Sequence, residues 1–185
     1  RERCAATSST RRGPRPSPVG WDDLFAGWCE HYPATVGGDF IVAREGAGPG
    51  YQLAVVADDA AMGVTQVVRG LDLIPSTPRQ ILLYRALGRD LPTFGHLPLV
   101  LGPDGRRLAK RDGSIKLATL RQGGADPRRL VGWLARSLGL AESIEPTTPV
   151  DCVASFSPGK VPAGPLVLSG DDLSGLVSVK ERNGT

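Results

Sequence analysis

The segment from 97 to 117 restricts this chain most, because an apolar run ends there in a tight turn and continues into a cluster of cations. The run covers residues 97–101, and the turn covers 102–105 with the sequence Gly-Pro-Asp-Gly, whose residues favour or preset turn conformations. The cations are Arg106, Arg107, Lys110, Arg111 and Lys116. This pattern predicts a buried strand that leads into a mobile cationic loop able to bind a polyphosphate. A solvated basic hairpin also fits these residues.

The composition supports a folded chain without a membrane span. Its 185 residues suit one domain, and 41% hydrophobic residues are enough for a core. No long apolar run occurs, so the sequence predicts no transmembrane helix and a cytoplasmic location. The net charge of +3 is compatible with an anionic partner but does not require one. The spacing of Cys4, Cys29 and Cys152 predicts reduced thiols rather than a zinc site within this chain.

The N-terminal part of the chain is predicted to be an irregular connection. Residues 1–20 are rich in Arg, Pro, Ser and Thr, which is typical of an irregular segment. After it, Trp21, Leu24, Phe25 and Trp28 recur at helical spacing. This spacing predicts one short amphipathic helix or turn with the aromatic rings as packing residues.

From Asp39 onward the pattern changes to strands. The sequence predicts strands at 40–42, 52–57 and 64–68. The run at 52–57 is almost entirely apolar, which is typical of a central strand covered on both faces. Its end at Asp58 and Asp59 would open on a ligand crevice, with one carboxylate capping the following turn.

The clearest helix signal follows the third predicted strand. Thr77 can serve as the cap, Pro78 fits the first turn and Gly88 supplies the stop. The N-terminus of this helix is expected to face the carboxyl end of the sheet, where its free amides and dipole favour an anion. The alternative role for this helix is only to pack against the sheet as part of the connection between two strands.

Beyond Lys116 the pattern predicts two more helices and then an irregular tail. The first helix covers 117–122 and is closed by two glycines, and the second begins at Asp126-Pro127 and ends before Gly139. From residue 147 the chain is rich in Pro, Gly and Ser, and it is expected to be irregular.

Ordered motifs from Asp39 to about Leu140 resemble the glutamyl branch of the class I aminoacyl-tRNA synthetases. The loop at 107–111 looks like the lysine-containing signature loop of that class. Further stretches that resemble glutamyl-tRNA synthetases and their short glutamyl-Q paralogue are 39–42, 51–59, 63–70, 76–83 and 96–99. The segment at 156–162 resembles the closing segment of the glutamyl-Q type.

The resemblance implies an α/β fold: the second half of a class I synthetase Rossmann-type domain, followed by a small helical domain and an irregular tail. The implied divisions are 1–38 (irregular connection), 39–116 (second half of the catalytic domain with the signature loop), 117–146 (helical domain) and 147–185 (Pro/Gly-rich tail). The HIGH-type half of the fold and any zinc-binding cysteines would precede this chain. No anticodon-binding domain is expected after 146, which favours the glutamyl-Q type.

The resemblance also implies the roles of individual residues. Lys110 is expected to be the catalytic residue that stabilises charge on the phosphates. The expected ATP-binding residues are Lys110, Arg111, Arg107 and His96, and the expected glutamate-binding residues are Tyr51 and Arg69. A buried Arg suits this task, since it pairs with a carboxylate in a fork and rejects substrates that lack the anion. Taken without the family, Arg69 is as readily a surface cation and His96 a structural hydrogen-bond partner.

The function that the resemblance implies is activation of L-glutamate with ATP and its transfer to queuosine in the anticodon of tRNA(Asp). Mg²⁺ is implied by ATP, a monomer is expected, and this chain alone is expected to be inactive. Departures from the family pattern occur at Gln66, Leu71 and Ala109 and leave Lys110 intact. Two alternatives stay open: a fragment of an ordinary glutamyl-tRNA synthetase, and an inactive remnant that binds tRNA or a protein.

Overall fold

The chain forms two compact units rather than the single domain expected from its length. A computed structural model describes residues 17–33, 38–108 and 116–177. The units are divided between Leu97 and Pro98. The finer division at 38, 116 and 146 stays a prediction.

The first unit contains six strands and two α-helices among its described residues. In chain order these are β1 (Val19–Asp23), β2 (Gly27–His31), β3 (Ala43–Arg44), β4 (Gly48–Pro49), α1 (Tyr51–Ala61), β5 (Gln66–Gly70), a 3-10 helix (Leu71–Ser76), α2 (Thr77–Ala86) and β6 (Thr93–Leu97). The main sheet has the order β2-β1-β6-β5. Strand β6 runs parallel to both β1 and β5, while β1 and β2 form an antiparallel hairpin. Strands β3 and β4 pair separately.

Of the helix or turn predicted around Trp21, the helix is wrong, because these residues form the β1–β2 hairpin, while a turn does form at 24–26. Its turn is fixed by Asp23, whose carboxylate accepts hydrogen bonds from the backbone N–H groups of Phe25 and Ala26. Gly27 leaves the turn with φ of 74°, a conformation that favours glycine. The irregular connection expected over 1–38 is therefore also wrong for residues 19–31.

The strand predicted at 52–57 is wrong as well, because the run lies inside helix α1. Asp58 and Asp59 consequently belong to this helix and do not mark the end of a strand. Gly63, with φ of 69°, ends the helix region, and the N–H of Val64 bonds to the carbonyl of Asp59. A short apolar run fits either structure, and the alanines of this segment favour a helix.

The other predictions for the first unit hold in part. No strand forms at 40–42, and the strand predicted at 64–68 is shifted to 66–70. Helix α2 is confirmed, with Pro78 in its first turn and Gly88 after its end. One buried cluster joins the hairpin, the helices and the sheet: Val19, Trp21, Cys29, Val56, Ile74, Ile81, Tyr84 and Phe94.

The second unit contains two short strands and four α-helices among its described residues. They are β7 (Val100–Leu101), α3 (Leu117–Gln122), α4 (Pro127–Ser137), α5 (Pro149–Val153), a 3-10 helix (Pro158–Lys160), β8 (Leu166–Val167) and α6 (Gly170–Val177). Helices α3 and α4 are confirmed, and the carboxylate of Asp126 caps α4. No helix among the described residues is long and apolar enough to cross a membrane.

Two predictions about this unit need correction. The apolar run at 97–101 is not one strand, because Leu97 ends β6 and a separate strand, β7, forms at 100–101. The tail is not irregular, since β8 pairs in parallel with β7 and α6 follows it. Its Leu168 and Leu176 form a buried cluster with Trp133 of α4, so the tail completes the core of the second unit.

This packing predicts that Gly132→Ala destabilises the second unit. A Cβ at Gly132 would lie 2.0 Å from the carbonyl oxygen of Glu145, and backbone cannot yield as a flexible side chain can. We expect a loss of about 2 kcal/mol or more in the free energy of unfolding, measured by urea titration. Gly175→Ala in α6 is the matched control, because nothing lies within 4 Å of its added Cβ. Equal losses in both variants would contradict the proposed clash.

Candidate functional site

Arg69 lies near the carboxyl end of the edge strand β5. The parallel register pairs it with His96 on β6, and its guanidinium carbon lies 5.5 Å from the centre of the Phe94 ring. Burial lowers the pKa of Arg69, while Tyr51 and several nearby carboxyl groups act in the opposite direction. An Arg side chain stays charged under such conditions, so a half-buried cation is held at this end of the sheet.

Two nitrogen atoms of the Arg69 side chain are bonded inside the protein. Nε donates to Nε2 of His96 at 3.0 Å, and Nη2 donates to Oγ1 of Thr77 at 2.7 Å. Among the hydrogen bonds of the described residues, Nη1 has no protein acceptor. Within the described part of the chain, the guanidinium therefore has one edge bonded by the protein and a nitrogen, Nη1, that has no bonded acceptor.

His96 is 1% exposed and has a bonding partner at each ring nitrogen. Nδ1 lies 2.5 Å from Oδ2 of Asp23, and Nε2 faces Arg69 and the Thr77 hydroxyl at 3.1 Å. Because Arg69 can only donate, Nε2 of His96 must accept, and the ring proton is assigned to Nδ1 facing Asp23. The ring thus connects a carboxylate to a guanidinium.

Asp23 is a site residue that the sequence analysis missed. Its Oδ1 accepts from the backbone N–H of His96 at 2.9 Å, in addition to its two bonds in the hairpin turn. Burial raises the pKa of Asp23, but the hydrogen bonds from the His96 ring and from three backbone N–H groups outweigh burial and hold it at about 2. Asp23 and His96 are 73 positions apart, so no local motif connects them.

The low pKa of Asp23 predicts an acid-dependent loss of stability. The folded value of about 2 lies below the ordinary value of 3.8, so the stabilisation is full above pH 3.8 and is lost as the pH falls towards 2. The difference in unfolding free energy between the wild-type chain and Asp23→Asn should therefore shrink by about 2 kcal/mol between pH 5 and pH 2. Asp58→Asn, at an exposed carboxylate, is the control. A constant difference for Asp23→Asn would contradict the assigned hydrogen bonds.

Tyr51 begins helix α1 and is 62% exposed. Tyr51 is near enough to Arg69 to raise the pKa of its guanidinium. A chain of side-chain bonds fixes the start of α1 against α2: Nε2 of Gln52 donates to Ser76 at 3.0 Å, and Nε2 of Gln80 donates to Gln52 at 2.9 Å. This neighbourhood therefore combines an exposed phenol with a partly bonded guanidinium.

Thr77 has a different role from the predicted cap. The N-cap of α2 is Ser76, which makes no side-chain capping bond, and Thr77 is the first residue of the helix. The Thr77 hydroxyl is fully buried and accepts from Arg69 instead. The start of α2 therefore contributes a side chain to the site.

The cationic segment belongs to the second unit. The turn at 102–105 is confirmed, since the N–H of Gly105 bonds to the carbonyl of Gly102 and the N–H of Gly102 bonds to the carbonyl of Arg106. Arg107 pairs with Leu101 in an isolated antiparallel bridge. Lys110 and Arg111 lie outside the described residues, so their roles stay predictions.

Comparison with known proteins gives a consistent result. A family model described as "tRNA synthetases class I (E and Q), catalytic domain" matches residues 10–146. The glutamyl-Q tRNA(Asp) synthetase of Symbiobacterium thermophilum is 48% identical over 176 residues, which are 95% of this chain and 54% of that protein. The glutamate–tRNA ligase of Synechococcus sp. strain JA-3-3Ab is 48% identical over 120 residues, which are 65% of this chain and 25% of the ligase.

A solved structure also matches. The crystal structure of a glutamate tRNA ligase from Elizabethkingia meningosepticum, in complex with its amino acid, has a TM-score of 0.73 and 26% identity, and the match covers 88% of this chain and 36% of the ligase. The fold and these matches define a class I aminoacyl-tRNA synthetase catalytic domain. Within that class, this chain belongs to the E and Q family. The α/β class and the family inferred from sequence are thus confirmed, and the chain spans about half the length of its glutamyl-Q relative.

Proposed function

We propose that this chain supplies the amino-acid-recognising part of an enzyme that activates glutamate with ATP for transfer to tRNA. The observation that carries the proposal is Arg69, whose Nε and Nη2 are bonded inside the protein while Nη1 has no acceptor among the described residues. A guanidinium held in this way suits a carboxylate ligand, because it offers two parallel N–H groups in a fixed plane. Tyr51, exposed at the start of α1, would add a phenol hydrogen bond to the same substrate.

Activation would proceed by attack of a glutamate carboxylate oxygen on the α-phosphorus of ATP, with pyrophosphate as the leaving group. Negative charge builds on the phosphoryl oxygens and on the departing pyrophosphate. Lys110 is proposed to stabilise this charge, assisted by Arg107 or Arg111. Mg²⁺ would accompany the ATP phosphates, and no residue of this chain is assigned to it.

The proposed acceptor is queuosine in tRNA(Asp). In support, the match to the glutamyl-Q relative covers 95% of the chain and so includes most of the tail that completes the second unit. An ordinary glutamyl-tRNA synthetase is the second candidate, because a glutamate–tRNA ligase has the same 48% identity over a shorter stretch.

Glutamate-dependent ATP–pyrophosphate exchange tests the activation step. The completed enzyme, meaning this chain joined to the part of the Symbiobacterium protein that it does not cover, should exchange pyrophosphate with glutamate and not with glutamine or aspartate, with or without tRNA. Lys110→Ala should slow this exchange about 100-fold or more, because one charge-stabilising group is removed. Lys160→Ala, at a cation outside the signature loop, is the control. Full exchange by the Lys110→Ala enzyme would refute the role of that lysine, and no exchange by the parent enzyme would favour the inactive remnant.

A further inference from the structure

We infer that Asp23, His96 and Thr77 are positioning residues that hold the Arg69 guanidinium in one orientation, with its Nη1 edge turned to a substrate carboxylate. The inference rests on the proposed function and assigns His96 a role other than ATP binding. It is carried by the hydrogen bonds around Arg69.

Two bonds and one packing contact fix the guanidinium. The planar group is anchored at Nε by His96 and at Nη2 by Thr77, so rotation within its plane would break a bond at 3.0 or 2.7 Å. The Phe94 ring lies 5.5 Å from the guanidinium carbon. Phe94 is itself buried in the main core and cannot easily move aside. Nη1 is the guanidinium nitrogen that has no bonded acceptor among residues 17–33, 38–108 and 116–177.

The anchors of Arg69 are themselves fixed to the backbone. His96 is held through Nδ1 by Asp23, and the Asp23 carboxylate is held by three backbone N–H groups of the hairpin turn and strand β6. The side chains of both Asp23 and His96 are 0% exposed. A nucleotide could reach His96 only by displacing Asp23, Arg69 or Thr77, and each of these is bonded to it. The ring is therefore suited to orient Arg69 and poorly suited to contact ATP.

Thr77 completes a triangle of contacts. Its buried oxygen accepts from Arg69 and lies 3.1 Å from Nε2 of His96, so its hydroxyl proton can point at the ring nitrogen. The three residues in contact therefore come from three elements: Thr77 from helix α2, His96 from strand β6 and Arg69 from strand β5. Loss of the Thr77 oxygen would leave a hydrogen of Nη2 without its buried acceptor and free the guanidinium to tilt.

Two amide substitutions at His96 separate orientation of Arg69 from support of the fold. Asn places its amide near the Nδ1 position, so His96→Asn can keep a donor to Asp23 but removes the acceptor for Arg69. Gln reaches the Nε2 position, so His96→Gln can keep the acceptor for Arg69 but leaves the buried Asp23 without its ring partner. His96→Asn should therefore be the more stable of the two variants, and His96→Gln should be the one that uses glutamate better.

The experiment measures the KM for glutamate, the KM for ATP and the melting temperature in the completed enzyme. His96→Asn should raise the glutamate KM about tenfold, while His96→Gln should change it less and lower the melting temperature more. Thr77→Val should raise the glutamate KM severalfold, and Thr77→Ser should restore it. The ATP KM should stay unchanged in all four variants. Ile81→Val is a stability control, since it thins the buried core of the same unit and removes no hydrogen-bonding group.

A readout on the 185-residue chain does not depend on activity. In ¹⁵N spectra His96 should show a proton on Nδ1, and the Nε–H of Arg69 should exchange slowly with water. The exchange should become fast in Thr77→Val and stay slow in Thr77→Ser. A proton on Nε2, or fast exchange in the unmodified chain, would overturn the inference even if a His96 variant failed to fold.

The remaining outcomes are equally decisive. A glutamate KM that follows the melting temperature across the variants, Ile81→Val included, would show a structural role only. A raised ATP KM in His96→Asn would return His96 to the nucleotide site. If Arg69→Ala impairs glutamate use while His96→Asn and Thr77→Val do not, the inference alone fails. If Arg69→Ala has no effect, the proposed glutamate site itself fails.

Discussion

Arg69→Ala in the completed enzyme should lower kcat/KM for glutamate activation by about 30- to 1000-fold, equivalent to about 2–4 kcal/mol of transition-state stabilisation. The substitution removes the cation that would pair with a substrate carboxylate. It also removes the guanidinium donor that Arg69 supplies to the buried Thr77 oxygen and to the Nε2 atom of His96. The measurement is steady-state ATP–pyrophosphate exchange over a range of glutamate concentrations.

Two further variants decide what the loss means. Arg69→Lys keeps the charge but not the planar fork, so it should recover only part of the activity. Arg85→Ala removes an exposed Arg from helix α2 and should have no effect on glutamate kinetics. If Arg69→Ala behaves like Arg85→Ala, then Arg69 is a surface cation and the proposed substrate site is wrong.

The main errors of sequence reading in the first unit share a physical cause. A short apolar run does not show whether its hydrophobic residues repeat with the period of a helix or of a strand. The run before Asp58 therefore fits a strand, and the aromatic residues around Phe25 fit a helix. In each case a local feature accompanies the observed structure. Gly63 ends the region of helix α1, and the Asp23 carboxylate together with Gly27 fixes the turn of the hairpin. Helix α2 has both a proline in its first turn and a glycine after its end, and it was predicted correctly.

The residues of the candidate site also divide into those that the sequence reveals and one that it does not. The motifs that contain Tyr51 and Arg69 could be read from the sequence because they occur in ordered stretches that resemble a family. Asp23 could not be identified from the sequence, because its partner His96 follows 73 positions later and contacts it only when β1 and β6 pair. Long-range pairing of this kind leaves no trace in local spacing.

The last prediction concerns the acceptor RNA and follows from the proposed function. Residues expected to be irregular form β8 and α6, and they share a buried cluster with helix α4. The glutamyl-Q relative of Symbiobacterium matches 95% of the chain, and the glutamate–tRNA ligase of Coprothermobacter proteolyticus matches 80% of it. Both matches extend into the second unit, so their extent alone favours neither acceptor.

Under the proposed function, the completed enzyme should attach glutamate to queuosine-containing tRNA(Asp) and leave tRNA(Glu) and queuosine-free tRNA(Asp) unmodified. Radiolabelled glutamate, followed on each purified tRNA, measures the outcome. Lys110→Ala should slow labelling of this tRNA about 100-fold or more, because the activated glutamate is formed before transfer. Arg85→Ala should label the same tRNA as the parent enzyme. Glutamate on the 3′ end of tRNA(Glu) would overturn the queuosine assignment and identify an ordinary glutamyl-tRNA synthetase, while the role of Arg69 in binding glutamate would stand.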